Sequence, residues 1–372
     1  MTGRIPFLSL VPREDDDARD VHAAIDRVVA RGWFILGPEV EAFEQEFAAA
    51  SGATHAVAVG NGTDAIALIL RALGIGRGDE VITTPLSAAY SALAILMAGA
   101  RPVFVDVDPH RLTIDPARIA AAVGPCTRAI LPVHLYGQPA DMRAIEGVAS
   151  AHDLAIVEDC CQAHLATSDG RPVGTIGVAG AFSFYPTKNL GALGDGGAIV
   201  TRDRALADRL RRLRNGGQTD RYHHQEAGIN SRLDEMQAAV LRARLPRLPA
   251  WTARRRSIAA RYRRQLGDGG GGVEVLPERD AGHVYHLFVV RTAARADLQA
   301  HLAARGIETL IHYPVPIPRQ PAMAAVEPAD CQIAARACGE VVSLPLHPAL
   351  GDADVDRIAE AVHAFAPRPQ LS

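Results

Sequence analysis

The 372-residue sequence predicts an α/β protein: a large domain with a mostly parallel sheet flanked by helices, plus a smaller C-terminal α+β domain. Three observations carry this. Between residues 55 and 215, short apolar stretches alternate with longer helical ones. The short stretches are apolar almost throughout, as strands covered on both faces must be. After about residue 245 the pattern changes. Pro246 and Pro249 precede an Arg-rich helical stretch, glycines 269–272 mark a flexible turn, and short strands then alternate with helices to the C-terminus.

Taken in order, residues 55–59 (His-Ala-Val-Ala-Val) read as a strand, and 63–73, with apolar residues at helical spacing, as the helix behind it. Residues 80–84 form the next strand and 87–98 the next helix. Strand 102–105, helix 116–122, strand 128–132, helix 141–151 and strand 154–158 continue the alternation, and 198–201 adds a later strand. Strand–helix alternation of this kind builds a parallel sheet with helices on both faces, and ligands collect at the carboxyl ends of its strands. The large domain is expected over residues 15–248 and the small one over 249–372, with residues 1–14 as a candidate addition to the latter. No repeat at solenoid spacing is visible.

Composition narrows the function classes. With 39 basic and 42 acidic side chains the formal charge is −3, and a pI near 6.5 without a basic block argues against nucleic acid or an anionic membrane as partner. Residues 254–264, the densest basic stretch, read as a solvated helix face. No apolar run approaches the ~20 residues that span a bilayer. Pro6, Pro12 and the acidic run from Glu14 to Asp17 exclude a signal-peptide reading of the N-terminus. The five cysteines include the adjacent Cys160 and Cys161, a spacing that suits neither a disulfide framework nor a metal site, so a reducing cytoplasm is the expected compartment and no metal is expected.

The charge balance hides an asymmetry: of the 39 basic residues, Lys188 is the only lysine. Arginine replaces lysine as a surface charge but cannot become a neutral amine nucleophile. Lys188 follows Phe182, Phe184 and Tyr185 and precedes the Gly-rich run 191–197, so it sits in a packed loop between strands, where desolvation favours the free amine that attacks an aldehyde. Three segments supply what an aldehyde cofactor such as pyridoxal phosphate needs. Asn61, Gly62 and Thr63 stand where a strand gives way to a helix, a phosphate cradle by position and equally an ordinary turn with an N-cap. Glu158 and Asp159 end a strand, and one of these carboxylates can keep a pyridinium nitrogen protonated. Ser183 lies five residues before Lys188, within reach of the same phosphate. Gly74, Gly76 and Gly78 follow a helix and lack dinucleotide-fingerprint spacing, and His223, His224, His283 and His286 lack metal-ligand spacing.

Several motifs stand in one order: Gly32-Trp-Phe-Ile-Leu-Gly-Pro-Glu39 with Phe43 and Glu44, 60–65, 74–81, Pro132-Val-His-Leu-Tyr-Gly-Gln138, Glu158-Asp-Cys-Cys-Gln-Ala-His164, 182–197, 213–216, 228–239, His312-Tyr-Pro-Val-Pro316 and Ser343-Leu-Pro345. Together they resemble the fold-type I, pyridoxal-phosphate-dependent sugar aminotransferases of the DegT/DnrJ/EryC1/StrS group, over nearly the whole chain. The resemblance implies that Lys188 forms the internal Schiff base and shuttles the proton, that Asp159 pairs with the pyridinium nitrogen, and that Gln162 lies near the ring and its phenolic oxygen. It implies that Gly62, Thr63 and Ser183 hold the phosphate, joined by Asn230 from the other subunit of a homodimer with a shared active site. His312 and Tyr313 resemble a loop near the substrate entrance. The implied reaction moves an amino group from an amino acid, usually L-glutamate, to a keto sugar, usually nucleotide-linked, in amino-sugar biosynthesis. An aminocyclitol ketone or simple aldehyde is the alternative acceptor, and a non-catalytic pyridoxal-phosphate-binding regulatory protein the alternative class, which the intact Lys188, Asp159, Gln162 and Ser183 oppose. Departures from the family pattern are Ala88, where an aromatic residue usually stacks on the ring and Tyr90 is the candidate substitute, and Cys160, Cys161, Leu165 and Pro318.

Overall fold

The computed structural model describes residues 3–10, 15–267, 269–270, 272–327 and 329–366. Seven strands form the main sheet: β1 (His55–Val59), β2 (Glu80–Thr83), β3 (Arg101–Phe104), β4 (Thr127–Leu131), β5 (Ala155–Asp159), β6 (Ala179–Ser183) and β7 (Gly197–Thr201), in the order β1-β7-β6-β5-β4-β2-β3. All neighbours pair in parallel except at β7, which opposes both β1 and β6. The reversal has a covalent cause. A parallel return needs a crossover, usually a helix, and residues 184–196 between β6 and β7 hold none. That connection carries Lys188.

The helices are α1 (Asp15–Arg31), α2 (Pro38–Ala50), α3 (Gly62–Ala72), α4 (Tyr90–Met97), α5 (Pro116–Ala122), α6 (Met142–Ala151), α7 (Arg204–Leu213), α8 (Glu235–Arg244), α9 (Leu248–Leu266), α10 (Arg295–Ala303), α11 (Gln332–Glu340) and α12 (Asp352–His363). The alternation of β1 shows why its residues are apolar throughout. Val57 and Val59 join the core beneath α3 and α7, whereas Ala56 and Ala58 join the core beneath α2 and α8 with Phe43, Phe47, Phe182 and Phe184. The expected helix 87–98 begins only at Tyr90, because residues 84–89 form an irregular turn.

A buried carboxylate ties the N-terminal helices to this core. Glu235, at the start of α8, accepts the backbone N–H groups of Gly37 (2.9 Å), Glu39 (2.9 Å) and Val40 (2.7 Å), which are the orphan donors at the start of α2. Substituting it leaves three buried donors unpaired.

The C-terminal part has its own sheet, β8 (Gly269–Gly270), β9 (Val273–Val275), β10 (Phe288–Arg291) and β11 (Val341–Leu344), antiparallel throughout. It packs with α9, α10 and α12 around Tyr262, Phe288 and Ile358. Ile5 lies in this same core, pairing with Ile307. The carboxylate of Asp106 caps α11 through the N–H groups of Ile333 and Ala334, at 2.8 and 2.9 Å, and so links the two parts.

The basic stretch 254–264 corrects the sequence expectation. Arg255 is 4% exposed and donates to the carbonyls of Tyr285, His286 and Leu346 at 3.1–3.3 Å. Arg256 donates to the carbonyl of His283, and Arg261 bridges to Asp352 and Asp356. Periodicity alone does not distinguish a solvated arginine from one that satisfies buried carbonyls.

The Glu235→Ala variant is expected to lose about 3 kcal/mol of stability, the cost of stranding buried donors. Denaturant unfolding against the parent measures it, and a loss below 1 kcal/mol would remove Glu235 from this role.

Candidate active site

Successive strand residues face opposite sides of a sheet, and this separates Glu158 from Asp159. Glu158 is fully buried. It accepts the N–H groups of Gly174, Ile176 and Gly177, each at 2.8 Å. His134 Nε2 lies 3.1 Å from its other side, while His134 Nδ1 accepts the N–H of Ala140 at 3.1 Å. The imidazole proton therefore sits on Nε2 and is donated to Glu158. His134, Glu158 and Cys160 come within 4.8 Å of one another, a ligand set by type. However, the free lone pair of His134 is taken, and burial holds the Cys160 thiol well above its usual value. The cluster supports the turn at 174–177.

Asp159 turns to the other face. Its Oδ2 accepts the hydroxyl of Ser91 at 2.7 Å, and its Oδ1 accepts the N–H of Cys161 at 3.1 Å. Lys188 is half-buried nearby. Burial pushes its ammonium below the ordinary lysine value, while Cys161 and Asp159 pull the other way. His164 and His286 are buried beside it and stay neutral, His164 pushed down to about 3, by burial first and the charge of Lys188 second.

Gly62 opens α3. Its N-cap, Asn61, accepts the N–H of Asp64 at 2.8 Å through its side chain and that of Ala65 through its carbonyl. No acceptor among the described residues takes the N–H of Gly62 or Thr63, the free donors a helix N-terminus offers an anion. A Cβ on Gly62 would stand 2.7 Å from Cys161 Sγ and 2.9 Å from Ser183 Cβ. Only glycine fits, and α3, β5 and β6 thereby bring Gly62, Cys161 and Ser183 together, with Asp159 and Lys188 beside Cys161.

Gln162 closes one side. Its Oε1 accepts the N–H of Tyr136 at 2.7 Å, which directs its Nε2 onto the hydroxyl of Tyr313 at 2.9 Å. Tyr136 itself stands at φ +61°, and its hydroxyl donates to the carbonyl of His312. Burial raises the Tyr313 phenol, which stays protonated, and lowers His312 to about 4, with Lys188 adding to the latter effect. His312 Nδ1 pairs with Ser343 Oγ at 2.8 Å. A cavity of about 290 Å³ adjoins Lys188 on the side of Arg244, Trp251, Arg255 and His347.

The geometry thus gathers Lys188, Asp159, Gln162, Gly62, Thr63, Ser183, His312 and Tyr313. Asn230 is exposed, with its backbone bridged to Asn215, and among the described residues no contact to the other residues of this group is seen. Ala88 is half-buried, and Tyr90, 63% exposed, sits at the rim near enough to Tyr313 to act on its phenol. Ser91 and Tyr136 were not singled out as site residues from sequence. A lone serine on a short helix gives no signal, and both partners of Tyr136, Gln162 through its N–H and His312 through its hydroxyl, are far away in sequence.

Residues 15–363 match the DegT/DnrJ/EryC1/StrS aminotransferase family. The chain belongs to that family. This aminotransferase is 49% identical to the dTDP-3-amino-3,4,6-trideoxy-alpha-D-glucose transaminase of Streptomyces venezuelae, over 99% of this chain and 97% of the relative. It is 44% identical to the UDP-N-acetyl-3-dehydro-alpha-D-glucosamine 3-aminotransferase of Acidithiobacillus ferrooxidans, over 92% and 93%. The crystal structure of S. venezuelae DesV in complex with a ketimine intermediate superposes with a TM-score of 0.94 at 48% identity, covering 99% of this aminotransferase and 100% of that chain. No helix of the described residues is long and apolar enough to cross a membrane.

With a single lysine in the chain, amine reactivity can be read without ambiguity. Labelling of Lys188 by a small acylating reagent, followed by peptide mass, is expected to rise with pH around a midpoint below about 10.4, the free lysine value. A midpoint at or above that value would contradict the desolvated amine.

Proposed function

We propose that this aminotransferase uses pyridoxal 5′-phosphate to move the amino group of an amino acid, L-glutamate, onto the C3 ketone of a nucleotide-linked hexose. The carrying observation is a juxtaposition: the sole lysine, a buried carboxylate and a glycine-only helix N-terminus meet where strands β5 and β6 end. These residues fit the cofactor. The free N–H groups of Gly62 and Thr63 and the hydroxyl of Ser183 would hold its phosphate, Asp159 its ring nitrogen, and the amide of Gln162 its phenolic oxygen. The bound cofactor supplies an aldehyde and an electron-withdrawing ring. Lys188 would supply the amine that holds it and would then move a proton in each half-reaction, off the α-carbon of the donor in the first and onto the carbon that receives nitrogen in the second. Its desolvated Nζ suits both tasks. Tyr313 and His312 would stand at the substrate side.

The choice of C3 rests on the relatives: a dTDP sugar in one and a UDP sugar in the other, both aminated at carbon 3. We assign residues 15–248 to the large domain and 249–372 to the small one, joined by the N-terminal residues. The position of Ile5 in the second core supports this. The proposal includes a homodimer, in which Asn230 would reach across to the partner's site. That residue is exposed in its own chain and is assigned to the phosphate of the neighbouring site, with the exposed Trp33, Phe34 and Tyr222 as the apolar surface a second copy would cover. Five free thiols suit the cytoplasm.

Lys188→Arg is expected to abolish the visible band of bound cofactor and to lower turnover of L-glutamate with a 3-keto nucleotide sugar by about 10³-fold. A variant that keeps both sinks the proposal. Turnover of a ketocyclitol in preference to the sugar would reassign the acceptor while leaving the chemistry intact. Mixing inactive Lys188→Ala and Asn230→Ala proteins is expected to restore turnover, because one site of each mixed dimer is then complete. Failure to restore it would place Asn230 outside the partner's site.

A further inference from the structure

The Ser91 hydroxyl is 2% exposed and lies 2.7 Å from Asp159 Oδ2, across 68 residues of sequence. Its surroundings explain nothing else about it. Ser91 sits in the first turn of α4, where a serine ordinarily returns its hydroxyl to nearby backbone, yet here it reaches another element. The opposite oxygen of the same carboxylate, Oδ1, takes the N–H of Cys161 at 3.1 Å. Asp159 is thus held by the Ser91 hydroxyl and by the Cys161 backbone, with the Cys161 thiol beside the same carboxylate.

We propose that Ser91 is a positioning residue for the aminotransfer reaction: its hydroxyl fixes the Asp159 carboxylate and keeps it in the charged form that holds the ring nitrogen of the cofactor protonated. The inference rests on the proposed function, since it takes Asp159 as the ring partner. A donor to a carboxylate favours its ionised form. Without that donor the carboxylate becomes the better base, and the proton it shares with the ring nitrogen moves toward the oxygen. The ring then withdraws electrons less well and the donor's α-proton leaves more slowly. The backbone donor from Cys161 cannot be removed by substitution, so the hydroxyl is the adjustable half of the clamp. Ser91 touches neither substrate nor cofactor in this role.

The test compares the holoenzyme of the parent with Ser91→Ala, Ser91→Thr and Asp159→Asn. Ser91→Ala is expected to slow the single-turnover reaction with L-glutamate by about tenfold, the effect of one hydrogen bond to a charged group. The pH midpoint of the visible band should move upward, because a ring with less positive charge holds the neighbouring proton more tightly. Ser91→Thr, which keeps the hydroxyl, should return both toward the parent. Ser91→Ala with parental rate and midpoint overturns the inference. So does a variant whose thermal stability falls while rate and midpoint stay, which would make the bond a mere tie between α4 and β5. If Asp159→Asn is crippled while Ser91→Ala is not, only this inference fails. If Asp159→Asn also behaves as the parent, the ring-partner assignment beneath it fails.

Discussion

The parallel pairing of β5 with β6 is the constraint on which the site depends. Val157, Glu158 and Asp159 stand opposite Ala179, Gly180 and Ala181, so both strands end at one edge, and the residues that follow them, 160–162 and 183–188, emerge side by side. The pairing depends on small residues. A Cβ on Gly180 would meet Gly174 Cα at 2.3 Å, and one on Gly177 would meet the carbonyl oxygen of Ile156 at 2.3 Å. Glu158 secures the same turn from beneath through three backbone donors. Its neighbour Asp159 is thereby held to the other face, in reach of Lys188.

Around that edge the electrostatics favour a neutral amine and a bound anion. Lys188 is desolvated, and the nearby imidazoles of His164, His286 and His312 are uncharged near neutrality because burial and the lysine charge both oppose their protonation. The free N–H groups at the start of α3 add partial positive charge without a titrating group. A dianionic phosphate can then be held by fixed dipoles while the chemistry proceeds at a single amine.

Much of this was legible in the sequence, and the reasons differ by residue. Lys188 stood out because arginine had replaced every other lysine, and the Gly-rich run after it marked a loop. Gly62 and Thr63 were legible as a strand-to-helix turn. Glu158 and Asp159 were legible only as a pair, because adjacent letters do not say which side chain faces the site. Arg255 was misread, since an arginine that serves three buried carbonyls has the same helical spacing as one in water. Ser91 gave no signal at all: its partner is 68 residues away, and only the tertiary fold brings the start of α4 to the end of β5.

The sequence by itself determined the alternating architecture, the single lysine proposed as nucleophile and the family, because these rest on local periodicity, on a residue type with unique chemistry and on motifs in fixed order. Only the tertiary structure decided which carboxylate faces Lys188, what clamps it, and that Asn230 is exposed. Those are facts of distance and facing between segments far apart in the chain, and they are settled by the sheet order and by the glycines that let its strands and turns approach.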